Sequence, residues 1–344
     1  MKYQSLGNTG LYVSEITLGA MTFAEEGSDY GKILGGTGQK LATRMVDLAL
    51  EAGVNFFDTA NMYALGESET ILGKALGPRR KDVLVATKVY FPAGSGMNDV
   101  GISRLAIMRE VEASLKRLNT DWIDLYQVHH FDSTTPLEET LRTLDDLVRQ
   151  GKVRYIGLSN FAAWQIAKAD GLSRLMGKER FCSVQAYYSL AGRELEREII
   201  PAARDLGLGI MVWSPLAGGF LSGKFTRESE GDGRRKHFDF PPVNLEQGYN
   251  IVDTLKAIAQ NHNASVAQIA LAWLRYQKGV TTTIIGATKE KQLIDNLRSV
   301  GIVLSGEELD KLDEVSATPP VYPHWMAPMQ RGADLMSRWA SLSK

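Results

Sequence analysis

Short apolar segments alternate with helical segments along most of this 344-residue chain. We predict strands at residues 16–18, 55–58, 83–88, 123–129, 154–158, 183–186, 209–213 and 282–286. Each strand with its helix occupies about 30–40 residues, the size of a βα repeat. Near-continuous apolar strands indicate a parallel sheet covered by helices. The pattern therefore predicts an α/β protein, most naturally a (β/α)8 TIM barrel, with an open doubly wound sheet as the alternative.

The intervening segments have the 3.6-residue period of amphipathic helices. One apolar stripe contains Leu105, Met108, Val111, Leu115 and Leu118. The next helix has predicted ends: Thr135 as N-cap, Pro136 at the first helical position, and Gly151 after the last turn.

Several regions depart from the repeat. Residues 4–6 and 11–14 are predicted to form a β-hairpin that closes the bottom of the barrel. Residues 218–248 are rich in glycine and charge, which is typical of a long functional loop, and 34–40 is interpreted as a flexible loop over the first strand's end. We expect 318–344 to fold over the barrel, within one domain spanning 1–344.

Composition excludes several classes of protein. The formal net charge is −1, so no global field favours binding to nucleic acid or to an anionic membrane. The single cysteine, Cys182, allows no disulfide framework, which suggests a reducing, cytoplasmic environment. The sequence shows neither a signal-peptide pattern at its start nor an apolar run of ~18 residues. We therefore expect a soluble intracellular protein.

Four residues with complementary chemistry follow the second, third and fourth strands. Active sites of such barrels lie at the C-terminal ends of the strands, where Asp58, Tyr63, Lys88 and His129 fall. A phenol has a pKa of ~10, and a nearby ammonium lowers it. Tyr63 is thus the candidate general acid toward a carbonyl oxygen, with Lys88 as its pKa modifier. Asp58 would pair with Lys88, and a neutral His129 would orient the oxygen.

Each of these residues also has a purely structural interpretation. Asp58 could cap a helix, Tyr63 could be a packing residue, and Lys88 could be solvated. His129 precedes His130, and neighbours on a strand face opposite ways, so at most one is expected to point into the site. For the same reason we predict no metal site there.

The order and spacing of several segments resemble the aldo-keto reductases. These segments are GVNFFDTANMY with GESETILGKAL (53–63, 66–76), VLVATKV (83–89), SLKRLNTDWIDLYQVHH (114–130), GKVRYIGLSNF (151–161), VQAYYSL (184–190), VWSPLAGGFLSGKF (212–225) and TIIGATKEKQLIDNL (283–297). The resemblance implies a catalytic tetrad of Asp58, Tyr63, Lys88 and His129. It also implies NADPH, with NADH possible, bound across the barrel mouth without a Rossmann domain. The reaction would be reversible reduction of an aldehyde or ketone to an alcohol.

The resemblance further assigns cofactor contacts by position. Ser159, Asn160 and Gln185 would bind the nicotinamide carboxamide, and Trp213 would stack on its ring. The phosphates and adenosine would contact Ser214, Leu216, Gly218, Lys224, Gly286, Ala287, Thr288, Lys289, Gln292 and Asn296. From strand-end positions we expect the substrate pocket to be lined by Met21, Phe23, Tyr90, Phe91, Phe131 and Trp325.

Some positions differ from the family pattern. Ala64 stands where many relatives have glycine, and His130 stands where relatives often have tryptophan or arginine. Gln292 replaces an arginine that many NADP-preferring members use for the 2′-phosphate, a charge that Lys289 could supply. Two rival functions stay open: a cofactor-binding regulatory subunit like the β subunits of potassium channels, and an aldolase-type barrel with a Schiff base at Lys88. The substrate and the oligomeric state are not determined by the sequence.

Overall fold

The structure is a computed structural model. It describes residues 1–326, apart from 93, 230, 232–234 and 236–237. The part of the predicted tail from residue 327 onward therefore lies outside the described residues. The same holds for positions 230, 232–234 and 236–237 of the predicted loop 218–248.

Eight parallel strands form a closed barrel, in which each strand pairs with the next along the chain and the last pairs with the first. The strands are β3 (Ile16–Gly19), β4 (Phe56–Asp58), β5 (Leu84–Val89), β6 (Ile123–Val128), β7 (Val153–Ser159), β8 (Ser183–Tyr187), β9 (Gly209–Trp213) and β10 (Val280–Ile285). Each predicted strand overlaps one of these. The predicted (β/α)8 barrel is confirmed, and the doubly wound alternative is wrong.

Helices surround the barrel. They are α1 (Asp29–Leu34), α2 (Gly38–Glu51), α3 (Glu67–Leu76), α4 (Arg104–Leu118), α5 (Leu137–Arg149), α6 (Ala163–Met176), α7 (Ile199–Leu206), α8 (Leu245–Asn261), α9 (Val266–Leu274), α10 (Glu290–Leu297) and α11 (Gly306–Val315). In the described part of the chain, none of them combines the length and the apolar character needed to cross a membrane.

The start of α5 corrects one prediction. Pro136 has ψ 126°, which is outside the helical region, so Pro136 is the N-cap residue and Thr135 precedes it. The helix begins at Leu137, one residue later than predicted. Its other end agrees with the prediction, because Gly151 follows the helix with φ 73°, a conformation that glycine adopts at little cost.

The N-terminal hairpin consists of β1 (Tyr3–Ser5) and β2 (Tyr12–Ser14), which pair antiparallel. Leu6 and Val13 are fully buried and belong to one cluster with barrel-interior residues such as Leu125. The hairpin therefore packs apolar side chains beneath the barrel, as the sequence predicted.

Two predicted loops are shorter than expected. Segment 34–40 includes the end of α1 and the first turn of α2, so only 35–37 connect the two helices. A short 3-10 helix at Ala217–Ser222 begins the 218–248 region, and α8 begins near its end, at Leu245. Asn244 is the N-cap residue of α8, because its side chain accepts a hydrogen bond from the Gln247 amide.

The contact between α3 and α4 requires a glycine. A Cβ at Gly73 would lie 2.5 Å from the carbonyl oxygen of Leu118. We expect Gly73→Ala to lower the free energy of unfolding by about 1–3 kcal/mol, because backbone would have to shift. Gly171→Ala is the matched control, since no described atom lies within 4 Å of a Cβ added at this helical glycine. It should raise stability by about 0.5–1 kcal/mol. Urea denaturation of both variants tests the comparison, and equal effects would contradict it.

Candidate active site

Asp58 and Lys88 form a buried ion pair at the C-terminal end of the barrel. They lie on the adjacent strands β4 and β5, and the Lys88 side chain has 0% exposure. Lys88 Nζ donates to Asp58 Oδ2 at 2.5 Å, to the Thr59 carbonyl oxygen at 2.9 Å and to Tyr63 Oη at 3.3 Å. Burial alone would lower the pKa of Lys88, but the charge of Asp58 and the contact with Tyr63 raise it above its usual value. Lys88 is therefore a stable ammonium.

The chain between Asp58 and Tyr63 is held on the barrel rim. The fully buried Asn61 donates from Nδ2 to Glu110 Oε2 at 2.8 Å and to the Phe91 carbonyl oxygen at 3.2 Å. Thr59 Oγ1 lies 2.8 Å from Ser68 Oγ, which ties the same segment to α3. Tyr63 follows this segment, and its ring centroid lies 4.9 Å from Lys88 Nζ.

The residues that follow Tyr63 are conformationally strained. Ala64 and Leu65 have φ values of 48° and 51°, in the left-handed region that costs an L-residue about 1–2 kcal/mol. A glycine at position 64 would avoid that cost, so the alanine found there makes this turn more strained than a glycine would. Strain of this kind is common where surrounding structure fixes a functional side chain.

His129 lies beside Tyr63 at the end of β6. Its ring centroid is 5.9 Å from that of Tyr63 and 5.0 Å from that of Phe91, both edge-on. Burial lowers the pKa of His129 well below its usual value, and the charges of Lys88 and His130 lower it further. His129 is therefore neutral near pH 7. Among the described residues, its buried Nδ1 has no hydrogen-bond partner.

His130 points away from this group. Its side chain is exposed, and its ring lies 5.3 Å from Tyr90. The described residues contain no group of three or more His, Cys, Asp or Glu side chains that could hold a metal ion.

The residues expected to bind the carboxamide adjoin the tetrad. Asn160, with φ 57°, donates from Nδ2 to the His129 carbonyl oxygen at 3.0 Å, and its Oδ1 accepts from Trp213 Nε1 at 3.1 Å. Ser159 Oγ donates to the Gln185 carbonyl oxygen at 2.9 Å. Gln185 Nε2 donates to Asp58 Oδ1 at 2.8 Å. The structure thus brings these residues and the tetrad into one connected network.

A turn with unusual backbone geometry follows β9. Ser214 and Gly218 have φ values of 51° and 68°, and Ser214 Oγ accepts from the Gly218 amide at 2.9 Å. A Cβ at Gly218 would lie 2.5 Å from the Phe240 carbonyl oxygen. The Trp213 ring stacks against Phe240 with centroids 5.7 Å apart and planes inclined by 12°. Lys224 is exposed farther along this segment.

The segment expected to hold the adenosine end follows β10. Gln292 Oε1 accepts from the Thr288 amide at 3.1 Å and lies 3.2 Å from Thr288 Oγ1. Gly35 packs closely against Thr288, because a Cβ added at Gly35 would lie 2.7 Å from Thr288 Cγ2. Of the remaining residues expected at this end, Gly286 and Lys289 are exposed, and Ala287 and Asn296 are buried. Leu216, which is expected at the pyrophosphate, is half-buried.

The residues predicted to line the substrate pocket differ in their neighbours and in their exposure. Phe91 contacts His129, and Phe131 lies 5.3 Å from Phe161 and 5.9 Å from Trp164, centroid to centroid. Met21 and Tyr90 are half-buried, whereas Phe23 is fully buried in the core. Trp325 is exposed with its ring 6.2 Å from Tyr322. The composition of the pocket stays a prediction.

One buried polar residue of this region was not selected from the sequence. Gln127 on β6 is fully buried and donates from Nε2 to Asp58 Oδ1 at 3.1 Å. The sequence does contain a pattern that indicates this residue. Gln127 is a glutamine within the apolar segment IDLYQV, and its spacing from Ile123 and Leu125 puts it on the same face of the strand.

Comparisons with known proteins agree with this architecture. The family model described as "Aldo/keto reductase family" matches residues 15–317. An uncharacterised oxidoreductase, YrpG, of Bacillus subtilis is 41% identical over 93% of this chain and 97% of its own. A probable voltage-gated potassium channel subunit beta of Oryza sativa is 36% identical, covering 93% and 98% of the two chains. The versiconal hemiacetal acetate reductase of Aspergillus parasiticus is 33% identical, covering 94% and 99%.

The fold and these matches define an oxidoreductase of carbonyl compounds built on a (β/α)8 barrel. The chain belongs to the aldo/keto reductase family, and the predicted resemblance is confirmed.

The lowered pKa of His129 predicts a pH-dependent stability. Below about pH 6.5 the unfolded chain protonates this histidine while the folded protein does not, so the free energy of unfolding falls as pH decreases. His129→Asn should make the slope between pH 5 and 6.5 shallower by up to about 1.4 kcal/mol per pH unit. Urea denaturation at several pH values measures the slope. The control His130→Asn, at an exposed position beside His129, should leave most of the slope in place. Equal slopes for wild type and His129→Asn would show that His129 is not the group responsible.

Proposed function

We propose that the protein reduces aldehydes or ketones to alcohols, reversibly, with NADPH as the preferred cofactor. One observation carries the proposal: Lys88 Nζ contacts Asp58, Tyr63 Oη and the Thr59 carbonyl oxygen at the same time. This arrangement places a permanent positive charge beside a phenol. A phenol so placed can give up its proton, because the ammonium stabilises the phenolate that forms.

The residues around the tetrad suit a nicotinamide cofactor. Trp213 has a flat aromatic ring with Phe240 stacked on it, Asn160 offers an amide group beside that ring, and Gln185 offers one beside Asp58. The exposed Lys224, beyond the turn that follows β9, offers an ammonium that can pair with the phosphates. The segment 286–289 leads into α10, whose N-terminus favours negative charge.

The proposed mechanism divides the work among the tetrad residues. When bound, the reduced nicotinamide supplies a hydride to the carbonyl carbon. Tyr63 donates its proton to the carbonyl oxygen, and Lys88 stabilises the resulting phenolate. Asp58 keeps Lys88 charged and in place. A neutral His129 can donate an N–H to the carbonyl oxygen without adding a second positive charge beside Lys88.

The geometry disfavours a Schiff base at Lys88. An amine must be unprotonated to attack a carbonyl carbon, whereas Lys88 is fully buried, paired with Asp58, and has a raised pKa. The second candidate function is a regulatory subunit. It draws support from the similarity to probable potassium channel β subunits.

Tyr63→Phe tests the proposed proton donor. The variant should bind NADPH with nearly unchanged affinity, because the lost hydroxyl is assigned to the substrate's oxygen. Turnover should fall by about 10²–10⁴-fold, the usual contribution of a general acid. The measurements are fluorescence titration of the cofactor and NADPH consumption with aldehydes, ketones, sugars and quinones.

Near-normal turnover in Tyr63→Phe would assign the proton to another group. Negligible turnover of the wild type on the whole panel, together with a stable complex with another protein, would instead favour the regulatory function.

The cofactor preference depends on the proposed role of Lys289. Its exposed ammonium stands at the N-terminus of α10, where it can pair with a 2′-phosphate. We expect Lys289→Gln to weaken NADPH binding by roughly ten-fold and to leave NADH binding unchanged, as loss of one charge-assisted contact predicts. Lys291→Gln, at an exposed position in the same helix, is the control. Equal losses for both cofactors would contradict the assignment.

A further inference from the structure

Gln127 is a polar residue in the interior of the barrel. It faces the same side of β6 as the buried Leu125, and the strand register places it beside Lys88 on one side and Gly157 on the other. A buried amide requires hydrogen-bond partners, and here the partners are parts of the candidate site.

Gln127, Gln185 and Asp58 form a closed triangle of hydrogen bonds. Both glutamines donate from Nε2 to Asp58 Oδ1, at 3.1 Å for Gln127 and 2.8 Å for Gln185. Gln185 Nε2 also donates to Gln127 Oε1 at 3.2 Å. An ionised carboxylate only accepts hydrogen bonds, so Asp58 determines the orientation of both amides. Lys88 binds the other carboxylate oxygen, Oδ2.

The neighbouring strand β7 leaves space for the Gln127 side chain. A Cβ at Gly157 would lie 3.1 Å from Gln127 Cγ and 2.6 Å from Ser183 Oγ. The absence of a side chain at Gly157 thus allows the Gln127 stem to cross the barrel interior toward Asp58.

We propose that Gln127 is a positioning residue, which fixes Asp58 through Oδ1 so that the Lys88 ammonium bridges Asp58 and Tyr63. Its dipole also takes up part of the negative charge of Asp58, which leaves more of the Lys88 charge to act on Tyr63. The proposal rests on the proposed function, in which Tyr63 is the proton donor. Gln127 itself would not touch the substrate.

The test replaces Gln127 by methionine, an unbranched side chain of similar length without a donor. In Gln127→Met we expect unchanged NADPH affinity and a loss of turnover in reduction of about ten-fold. For the reverse oxidation of an alcohol, the midpoint of the rise in activity with pH should move up by about one unit, because the phenolate loses support. Leu125→Met, two residues earlier on the same strand, is the control and should change neither quantity.

A second measurement needs no substrate. Phenolate absorbance in the near ultraviolet, taken as the difference between each protein and its Tyr63→Phe counterpart, follows the ionisation of Tyr63 itself. Titratable groups that face Tyr63 include Lys88 and His129, with Asp58 behind Lys88, and all of these remain in the variant. The Tyr63 titration should move upward in Gln127→Met and stay in place in Leu125→Met.

The outcomes separate the positioning role from the proposed function. A shifted Tyr63 titration in a protein that reduces no carbonyl compound would support the positioning role and overturn the function. An unshifted titration and pH midpoint would overturn the positioning role, even with reduced turnover, because a purely structural residue lowers turnover without moving the titration. If Gln127→Met does not fold, Gln127→Leu, which matches the apolar layer below, takes its place under the same expectations.

Discussion

The buried ion pair between Lys88 and Asp58 is the interaction on which the rest of the site depends. Removal of either partner would leave an uncompensated buried charge, which costs about 3–5 kcal/mol. The pair forms because β4 and β5 are neighbours in the barrel with a fixed register. The remaining polar contacts of the pair are to Thr59, to Tyr63, which is the proposed proton donor, and to two glutamines. The fold and the proposed catalytic geometry are therefore set by the same contacts.

The Lys88 charge acts in the same direction on two neighbouring rings. It disfavours gain of a proton by the His129 imidazole, and in the proposed mechanism it stabilises the phenolate that Tyr63 becomes. The edge-on rings of Phe91 and Tyr63 also limit water around His129. In the proposed mechanism, one cation thus places the proton donor and a neutral hydrogen-bond donor side by side, the combination that suits an oxygen on which negative charge develops.

The sequence alone was sufficient to predict the barrel and to group the four residues of the proposed tetrad. Strand interiors are recognisable by their apolar character. In a closed parallel barrel the C-terminal end of every strand faces the same rim, so Asp58, Lys88 and His129 could be grouped by their positions after the apolar segments. Contacts that depend on packing between strands could not be found in this way. The hydrogen bonds of Gln127 require the register of β6 against β5, and the stacking of Phe240 on Trp213 requires the path of an irregular segment. The N-cap of α5 depended on a single backbone angle at Pro136.

The barrel interior is divided into two layers with different roles. The lower layer is an apolar cluster that includes Phe56, Leu125 and Met211, closed from below by the hairpin. The upper layer contains the ion pair and the glutamine amides. The hydrophobic layer stabilises the barrel and keeps water from the charges above it, and electrostatic interactions strengthen when water is excluded. Gln127 stands at the boundary between these layers, one strand alternation above Leu125. From there its amide and that of Gln185 reach Asp58 Oδ1, so the ion pair is hydrogen-bonded on the side that faces away from Lys88.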